Sequence, residues 1–85
     1  ASLFPGNDSL GDTRPAVPVH HAPKPPPERV SLGLATLQAA TERIVLVAGR
    51  DKRGALQRVR AGEQLPIAMV GPLLWFTDTE ATGEP

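Results

Sequence analysis

Two stretches in the middle of the chain carry the hydrophobic patterns of regular secondary structure. Residues 44–48, Ile-Val-Leu-Val-Ala, form a continuous apolar run rich in β-branched side chains. Such a run is typical of a strand buried on both faces of a parallel sheet. Upstream of it, residues 29–32 alternate between polar and apolar side chains, which predicts another strand. Apolar side chains then recur at helical spacing at Leu34, Leu37 and Ala40.

A second helix and a closing strand follow the apolar run. Between Asp51 and about Ala61 the apolar side chains share one face, and Gly62 is a typical helix terminator. The last apolar run, Leu-Leu-Trp-Phe-Thr at residues 73–77, predicts the closing strand. This order of elements predicts an α/β fold with a parallel sheet and right-handed crossovers.

Residues 1–28 have a different character, because seven of the ten prolines lie within the first 27 positions. This predicts a long connection, in which Val17–His20 forms an edge strand that tolerates its proline. We therefore divide a single α/β domain into a proline-rich loop and edge segment at residues 1–28 and strand–helix units at residues 29–78. The polar residues 79–85 are expected to form a frayed tail.

The amino-acid composition excludes several structural and functional classes for this chain. Nine Lys and Arg balance nine Asp and Glu, so no excess of basic charge favours nucleic acid. The lack of cysteine excludes disulfide scaffolds and thiolate metal centres, and it fits a reducing, cytoplasmic compartment. No apolar run reaches the roughly 18–20 residues of a membrane span. Because the predicted sheet lacks cover and no initiator Met is present, we expect an upstream part of the same polypeptide.

The junction between the run at residues 44–48 and the next helix is the best place for chemistry. Ligands bind at the carboxyl ends of parallel strands, and a helix start exposes unpaired N–H groups. Lys52 lies in that first turn and adds a cation to this anion-binding position. Residues 50–60 carry five bases and one acid, which predicts a phosphorylated small molecule as the ligand. The alternative is a solvated basic helix face.

Arg29 is the second candidate binding residue, because it follows a rigid triple proline and its planar fork suits phosphate or carboxylate. The alternative is a surface arginine beside Glu28. His20 and His21 have no acid or cysteine at ligand spacing, so we predict no metal site. No serine has a recognisable nucleophile setting. The sequence therefore predicts binding groups, and no catalytic residue, in this chain.

Four blocks of the sequence resemble, in order, segments of the 6-phosphogluconolactonases. Residues 1–6 resemble the end of that family's G-x-D-G-H-T-A-S-L-F-P-G motif, and residues 23–32 resemble P-K-P-P-x-R-[IV]-[ST]-L-T. Residues 44–56 resemble its strand followed by G-x-x-K and A-L, and residues 74–78 resemble its closing L-W-L-x-D strand. Gly33 departs from the pattern, since the family usually has Thr there.

This resemblance implies the carboxyl-terminal portion of a Rossmann-like three-layer α/β fold with a mostly parallel sheet, incomplete in this chain. It implies hydrolysis of 6-phosphogluconolactone to 6-phosphogluconate in the pentose phosphate pathway, a reaction that needs no metal or organic cofactor. The lysine of G-x-x-K, which binds substrate phosphate, corresponds to Lys52, and the arginine after the prolines to Arg29. The general-base histidine would lie two positions before Ala1.

Two alternatives stay open beside the lactonase. Glucosamine-6-phosphate deaminases share the fold and the phosphate lysine, but they have N-E-P where Leu3–Pro5 stands, so their ring-opening glutamate has no counterpart here. A non-enzymatic module with Lys24–Pro27 as a polyproline ligand leaves the apolar strand unexplained. We expect a sugar-phosphate partner, and neither nucleic acid nor a membrane.

Overall fold

Four short strands and three short helices form the regular structure of residues 1–84, which are the residues that this computed structural model describes. The strands are β1 (Ala16–Val19), β2 (Arg29–Leu32), β3 (Ile44–Val47) and β4 (Leu74–Thr77). The helices are α1 (Leu34–Gln38), α2 (Arg53–Arg60) and α3 (Thr79–Thr82), with 3-10 turns at Asp8–Gly11, Arg50–Lys52 and Pro66–Met69. Across residues 1–84, no helix is long and apolar enough to cross a membrane.

The strands pair as two small sheets of opposite type, so the fold is mixed α/β. β1 and β2 are antiparallel, with Ala16 opposite Leu32. β3 and β4 are parallel, with Ile44 opposite Leu74 and Val47 opposite Thr77. The prediction of one parallel sheet is therefore wrong for β2. The proline-rich residues 20–28 reverse the chain and give β2 an antiparallel partner close in sequence, whereas a parallel pair needs a longer crossover.

The β3–β4 sheet is covered on one side. Its uncovered side, which we call the open face, is built from alternate residues of both strands. The side chains of the open face are 59%, 80%, 57% and 52% exposed at Ile44, Leu46, Leu74 and Phe76. The intervening Val45 and Val47 point the other way and are half-buried beside α2. The expectation that this chain alone leaves the sheet without full cover agrees with the structure, because within residues 1–84 α2 covers one face and the open face has no such cover.

The ends of α2 follow local backbone rules. A 3-10 turn at Arg50–Lys52 precedes the helix, so the regular α-helix begins two residues later than the predicted start at Asp51. Gly62 adopts a φ of 88° directly after the helix, and its N–H donates to the Val59 carbonyl at 3.0 Å. The predicted termination by glycine is confirmed.

The frayed tail predicted for residues 79–85 is wrong for residues 79–82, which form α3. Asp78 caps this helix by accepting a hydrogen bond from the Ala81 N–H at 2.8 Å, and Ala81 is fully buried. The cap and the buried methyl group give a short polar segment enough contacts to stay ordered. Residue 85 lies outside the described residues.

The predicted edge strand at Val17–His20 is confirmed as β1, one residue earlier than expected. Val17 and Val19 are fully buried, while Pro18 between them is exposed. Gly33 packs closely beside this strand, because a Cβ atom on its backbone would lie 2.3 Å from the Arg14 carbonyl oxygen. The approach of these two backbone segments therefore explains why glycine stands at this position.

One-sided burial of the β3–β4 sheet predicts unequal costs for two equal truncations. Leu56 in α2 is 7% exposed, whereas Leu46 is 80% exposed. We expect Leu56→Ala to lower the free energy of unfolding by about 2 kcal/mol or more, because it leaves a buried cavity. Leu46→Ala should change it by less than about 0.5 kcal/mol. Urea denaturation of the 85-residue chain measures both, and equal losses would contradict one-sided burial.

Candidate functional site

The candidate site lies where the parallel strands β3 and β4 end. Because Val47 pairs with Thr77 in parallel register, the residues that follow the two strands lie at the same edge of the sheet. After β3 the chain turns at Gly49, whose φ of 97° is a conformation that residues with side chains rarely adopt. The 3-10 turn Arg50–Lys52 and then α2 follow directly.

Lys52 lies at the end of this 3-10 turn and immediately before α2. Its N–H donates to the Gly49 carbonyl at 3.2 Å, which ties the lysine to the turn. Lys52, an exposed residue, lines a cleft of about 470 Å³ with Val45 of β3, Ala55 of α2 and Trp75 of β4. Of the side chains that line this cleft, Lys52 is the charged one and the others are apolar.

The other four bases of residues 50–60 are arginines, and each has an acidic partner. The pairs are Arg50–Glu80 at 3.4 Å, Arg53–Glu80 at 3.9 Å, Arg58–Glu63 at 2.5 Å and Arg60–Glu84 at 3.3 Å. The hydrogen bond from Arg58 lowers the pKa of Glu63 and raises that of the guanidinium. Within residues 1–84 the Lys52 ammonium has no carboxylate partner. The solvated basic face therefore describes the arginines, and the uncompensated charge is that of Lys52.

Asp78 belongs to this edge of the sheet, and the sequence analysis gave it no role there. It follows β4, and both of its carboxylate oxygens lie 3.2 Å from the Gly49 nitrogen. The N–H that opens the turn before Lys52 is therefore already bound by a carboxylate. A usable signal was present in the sequence, because parallel pairing of residues 44–48 with 73–77 brings Asp78 next to Gly49.

Arg29 occupies a different part of the molecule from the Lys52 cleft. Its Nε donates to the Pro26 carbonyl at 2.8 Å, and its Nη2 donates to the carbonyls of Lys24 at 2.8 Å and Pro25 at 3.2 Å. The guanidinium carbon lies 5.3 Å from the centroid of the Phe4 ring. Arg29 therefore holds the proline-rich loop, and it does not line the cleft that contains Lys52.

Residues 1 and 2 connect the surroundings of the two predicted binding residues. Ala1 lines the Lys52 cleft. Ser2 donates its backbone N–H to the Ser31 Oγ at 2.9 Å, and its own Oγ lies 3.5 Å from Nη1 of Arg29. Ala1 therefore lies at the Lys52 cleft, and the next residue, Ser2, contacts Arg29.

The histidines line a second cavity, of about 730 Å³, beside the 3-10 turn Asp8–Gly11. The ring of His20 pairs with Glu28, and this hydrogen bond lowers the pKa of Glu28. Asp12, another lining residue, pairs with Arg14 at 2.5 Å, and the hydrogen bonds from Arg14 lower the pKa of Asp12 to about 2. Residues 1–84 contain no cluster of three or more side chains arranged to hold a metal ion.

Comparison with known proteins gives the family. A sequence profile described as glucosamine-6-phosphate isomerases/6-phosphogluconolactonase matches residues 1–75. The chain belongs to this family. The predicted resemblance is therefore confirmed over most of the chain.

Named relatives of this family member are 6-phosphogluconolactonases. The rat protein of that name is 41% identical over 94% of this chain and 34% of its own length. The human protein is 39% identical over 94% of this chain and 34% of its own length, and the Streptomyces coelicolor protein is 38% identical over 99% and 35%. The chain thus spans about a third of the length of the curated relatives it matches.

A solved structure shares the fold of this chain. The crystal structure of devB protein superposes with a TM-score of 0.77 at 32% identity, over 98% of this chain and 38% of that one. The two small sheets and the helices of residues 1–84 therefore correspond to part of a larger known fold.

The Asp12–Arg14 pair predicts a measurable titration. Asp12 should titrate at about 2 rather than at its ordinary pKa of 3.8. Because the folded pKa is the lower one, the pair stabilises the fold above pH 3.8 and this contribution is lost as pH falls through about 2. Carboxyl-carbon NMR of the native chain and of Arg14→Gln measures both midpoints. We expect the variant to return towards 3.8, and an ordinary midpoint in the native chain would contradict the pair.

Proposed function

We propose that this chain is the carboxyl-terminal part of a 6-phosphogluconolactonase and supplies that enzyme's substrate-phosphate site. One observation carries the proposal. Among the bases of residues 50–60, Lys52 is the residue without a carboxylate partner in the described part of the chain; it follows the carboxyl end of β3 and lines a cleft between α2 and the parallel sheet. In such sheets this edge is the usual place for a ligand.

The chemistry of the cleft suits a phosphate attached to a carbohydrate. A lysine ammonium is a compact cation with three donors for phosphate oxygens. Val45, Ala55 and Trp75 line the same cleft, and Lys52 is itself exposed, so its charge is accessible to an incoming phosphate. A sugar phosphate would place its dianion on Lys52 and extend its ring away from the paired arginines.

Hydrolysis of the lactone needs more than this cleft. Water must add to the lactone carbonyl carbon, the ester C–O bond must break, and the water proton must pass through a base to the departing oxygen. His20 lies beside the second cavity, whose lining does not include Lys52, so this histidine is a poor candidate for the base. We assign the base to the upstream part of the same polypeptide, and we assign substrate binding to this chain. No metal or organic cofactor is required.

We also propose that Arg29 contributes to the substrate site. Three of its contacts hold the proline-rich loop through Nε and Nη2, while Nη1 has one long contact, to Ser2 Oγ at 3.5 Å. A guanidinium has five N–H donors, so Nη1 retains donor capacity for a phosphate or carboxylate oxygen. Because Ser2 adjoins Ala1, which lines the Lys52 cleft, a substrate that extends from Lys52 past Ala1 would approach Arg29.

The parent protein is proposed to have the Rossmann-like three-layer fold with a mostly parallel sheet. The open face supports this, because a sheet face with four exposed large apolar side chains is suited to a covering layer. The relatives, which are about three times longer than the matched segment, have chain available for such a layer. We propose the cytoplasm as the compartment; rice relatives whose names include "chloroplastic" indicate that family members also occur elsewhere.

The other two functions fit the residues less well. A glucosamine-6-phosphate deaminase would need an acid for ring opening, but Leu3–Pro5 offers none. A polyproline ligand would need free backbone carbonyls, whereas Arg29 already binds those of Lys24, Pro25 and Pro26. The lactonase is therefore the function that the geometry supports best.

A chimaeric enzyme tests the proposed function. Residues 1–84 would replace the matching third of the rat 6-phosphogluconolactonase, and lactone hydrolysis would be followed by release of 6-phosphogluconate. We expect activity from the chimaera. Lys52→Gln should raise KM by roughly tenfold to a hundredfold with little change in kcat, because it removes charge-assisted hydrogen bonds to phosphate.

Arg58→Gln is the matched control for the lysine variant. Arg58 lies on α2 and is paired with Glu63, so its loss should change KM by less than about threefold. A Lys52→Gln chimaera with the KM of the unmodified chimaera would reject the phosphate site. Ammonia release from glucosamine 6-phosphate, without lactone hydrolysis, would favour the deaminase.

Arg29 variants test the second contact. In the same chimaera, Arg29→Gln should raise KM by about tenfold, because both the positive charge and the fork are lost. Arg29→Lys keeps the charge without the fork and should recover part of the affinity. Thermal unfolding of each variant separates a loosened loop from a lost substrate contact. Unchanged kinetics in a stable Arg29→Gln variant would remove Arg29 from the site.

A further inference from the structure

We propose that Asp78 is a positioning residue that holds the turn carrying Lys52 in its binding geometry. This inference rests on the proposed phosphate-binding function of Lys52 and adds to it a residue from the other strand of the sheet. Asp78 does not contact the ligand. It acts on Lys52 through the backbone of Gly49.

A short chain of hydrogen bonds connects the two residues. Both carboxylate oxygens of Asp78 lie 3.2 Å from the Gly49 nitrogen, so the Gly49 N–H donates to this carboxylate. The Gly49 carbonyl in turn accepts the Lys52 N–H at 3.2 Å. The N–H and the carbonyl of Gly49 are therefore both hydrogen-bonded. Asp78, which follows β4, thus helps to fix the φ of 97° that directs the chain from β3 into the 3-10 turn.

The same carboxylate also anchors the element that organises the neighbouring charges. Asp78 accepts the Ala81 N–H at 2.8 Å and thereby starts α3. From α3, Glu80 pairs with Arg50, and its backbone carbonyl accepts from Nε of Arg53 at 3.0 Å. Arg50 and Arg53 are thus held against α3, whereas Lys52 has no carboxylate partner within residues 1–84 and lines the cleft.

A carboxylate beside a phosphate site repels the ligand, so its presence there calls for a structural reason. Here its charge is shared with two backbone donors, from Gly49 and Ala81, which accounts for its position. If hydrogen bonding is the function of Asp78, an amide oxygen at the same place should largely replace it. If negative charge is the function, an amide should fail.

Three variants separate positioning from general stability. Asp78→Ala removes every acceptor, and Asp78→Asn keeps one oxygen without the charge. Ala81→Gly is the matched structural control, because it removes a fully buried methyl group and weakens α3 while leaving Asp78 and Gly49 unchanged. Each variant of the 85-residue chain would be titrated with 6-phosphogluconate and followed by amide NMR, with hydrogen exchange measured at Gly49 and Lys52.

We expect Asp78→Ala to raise the dissociation constant by about tenfold or more and to remove the exchange protection of both amides. Asp78→Asn and Ala81→Gly should stay within about threefold of the native chain. Native affinity in Asp78→Ala, or an equal loss in Ala81→Gly, would overturn the inference. If Asp78→Ala does not fold, Asp78→Asn decides: a folded variant that has lost binding would also overturn it.

Lys52→Gln, measured in parallel, separates this inference from the proposed function. Native affinity in Lys52→Gln would reject the phosphate site, while the exchange data would still report whether Asp78 holds Gly49 and Lys52. Weak binding in Lys52→Gln together with native binding in Asp78→Ala would reject the positioning role alone.

Discussion

The parallel pairing of β3 with β4 is the constraint on which the candidate site depends. It places Val47 opposite Thr77, and so it brings the residues after both strands to one edge although they are 30 positions apart in the chain. Gly49 and Asp78 can form a hydrogen bond for this reason alone. An antiparallel pair, or a shift of register, would separate the turn that carries Lys52 from the carboxylate that holds it.

Charge pairing around α2 depends on the same arrangement. Two of the three acids, Glu80 and Glu84, come from the end of the chain, which α3 and the residues around it bring alongside α2. Glu80 and Glu84 partner arginines at positions 50, 53 and 60. The charge of the site therefore depends on the acids that neutralise the arginines as well as on the number of bases in residues 50–60. The segment 50–60 carries five bases, and four of them have acidic partners, so Lys52 is the uncompensated cation next to the cleft.

Much of the local structure could be predicted from the sequence, because it depends on nearby residues. The apolar run at residues 44–48, the glycine that ends α2 and the place of Lys52 beside the strand all follow from short-range patterns. The split into two sheets and the order in α3 could not be predicted in this way, because each depends on which distant residues pack against the segment. Asp78 was overlooked for the same reason, since its main partner, Gly49, is distant in the chain.

The link from Asp78 through Gly49 to Lys52 has a consequence for the response to ionic strength. The arginine pairs and the proposed attraction of Lys52 for phosphate act between exposed charges, and dissolved salt screens such charges over about 10 Å at 0.1 M. The link itself passes through backbone N–H and carbonyl groups at short range, which salt affects little. Concentrated electrolyte should therefore weaken how strongly the ammonium attracts an anion without altering the backbone position of Lys52.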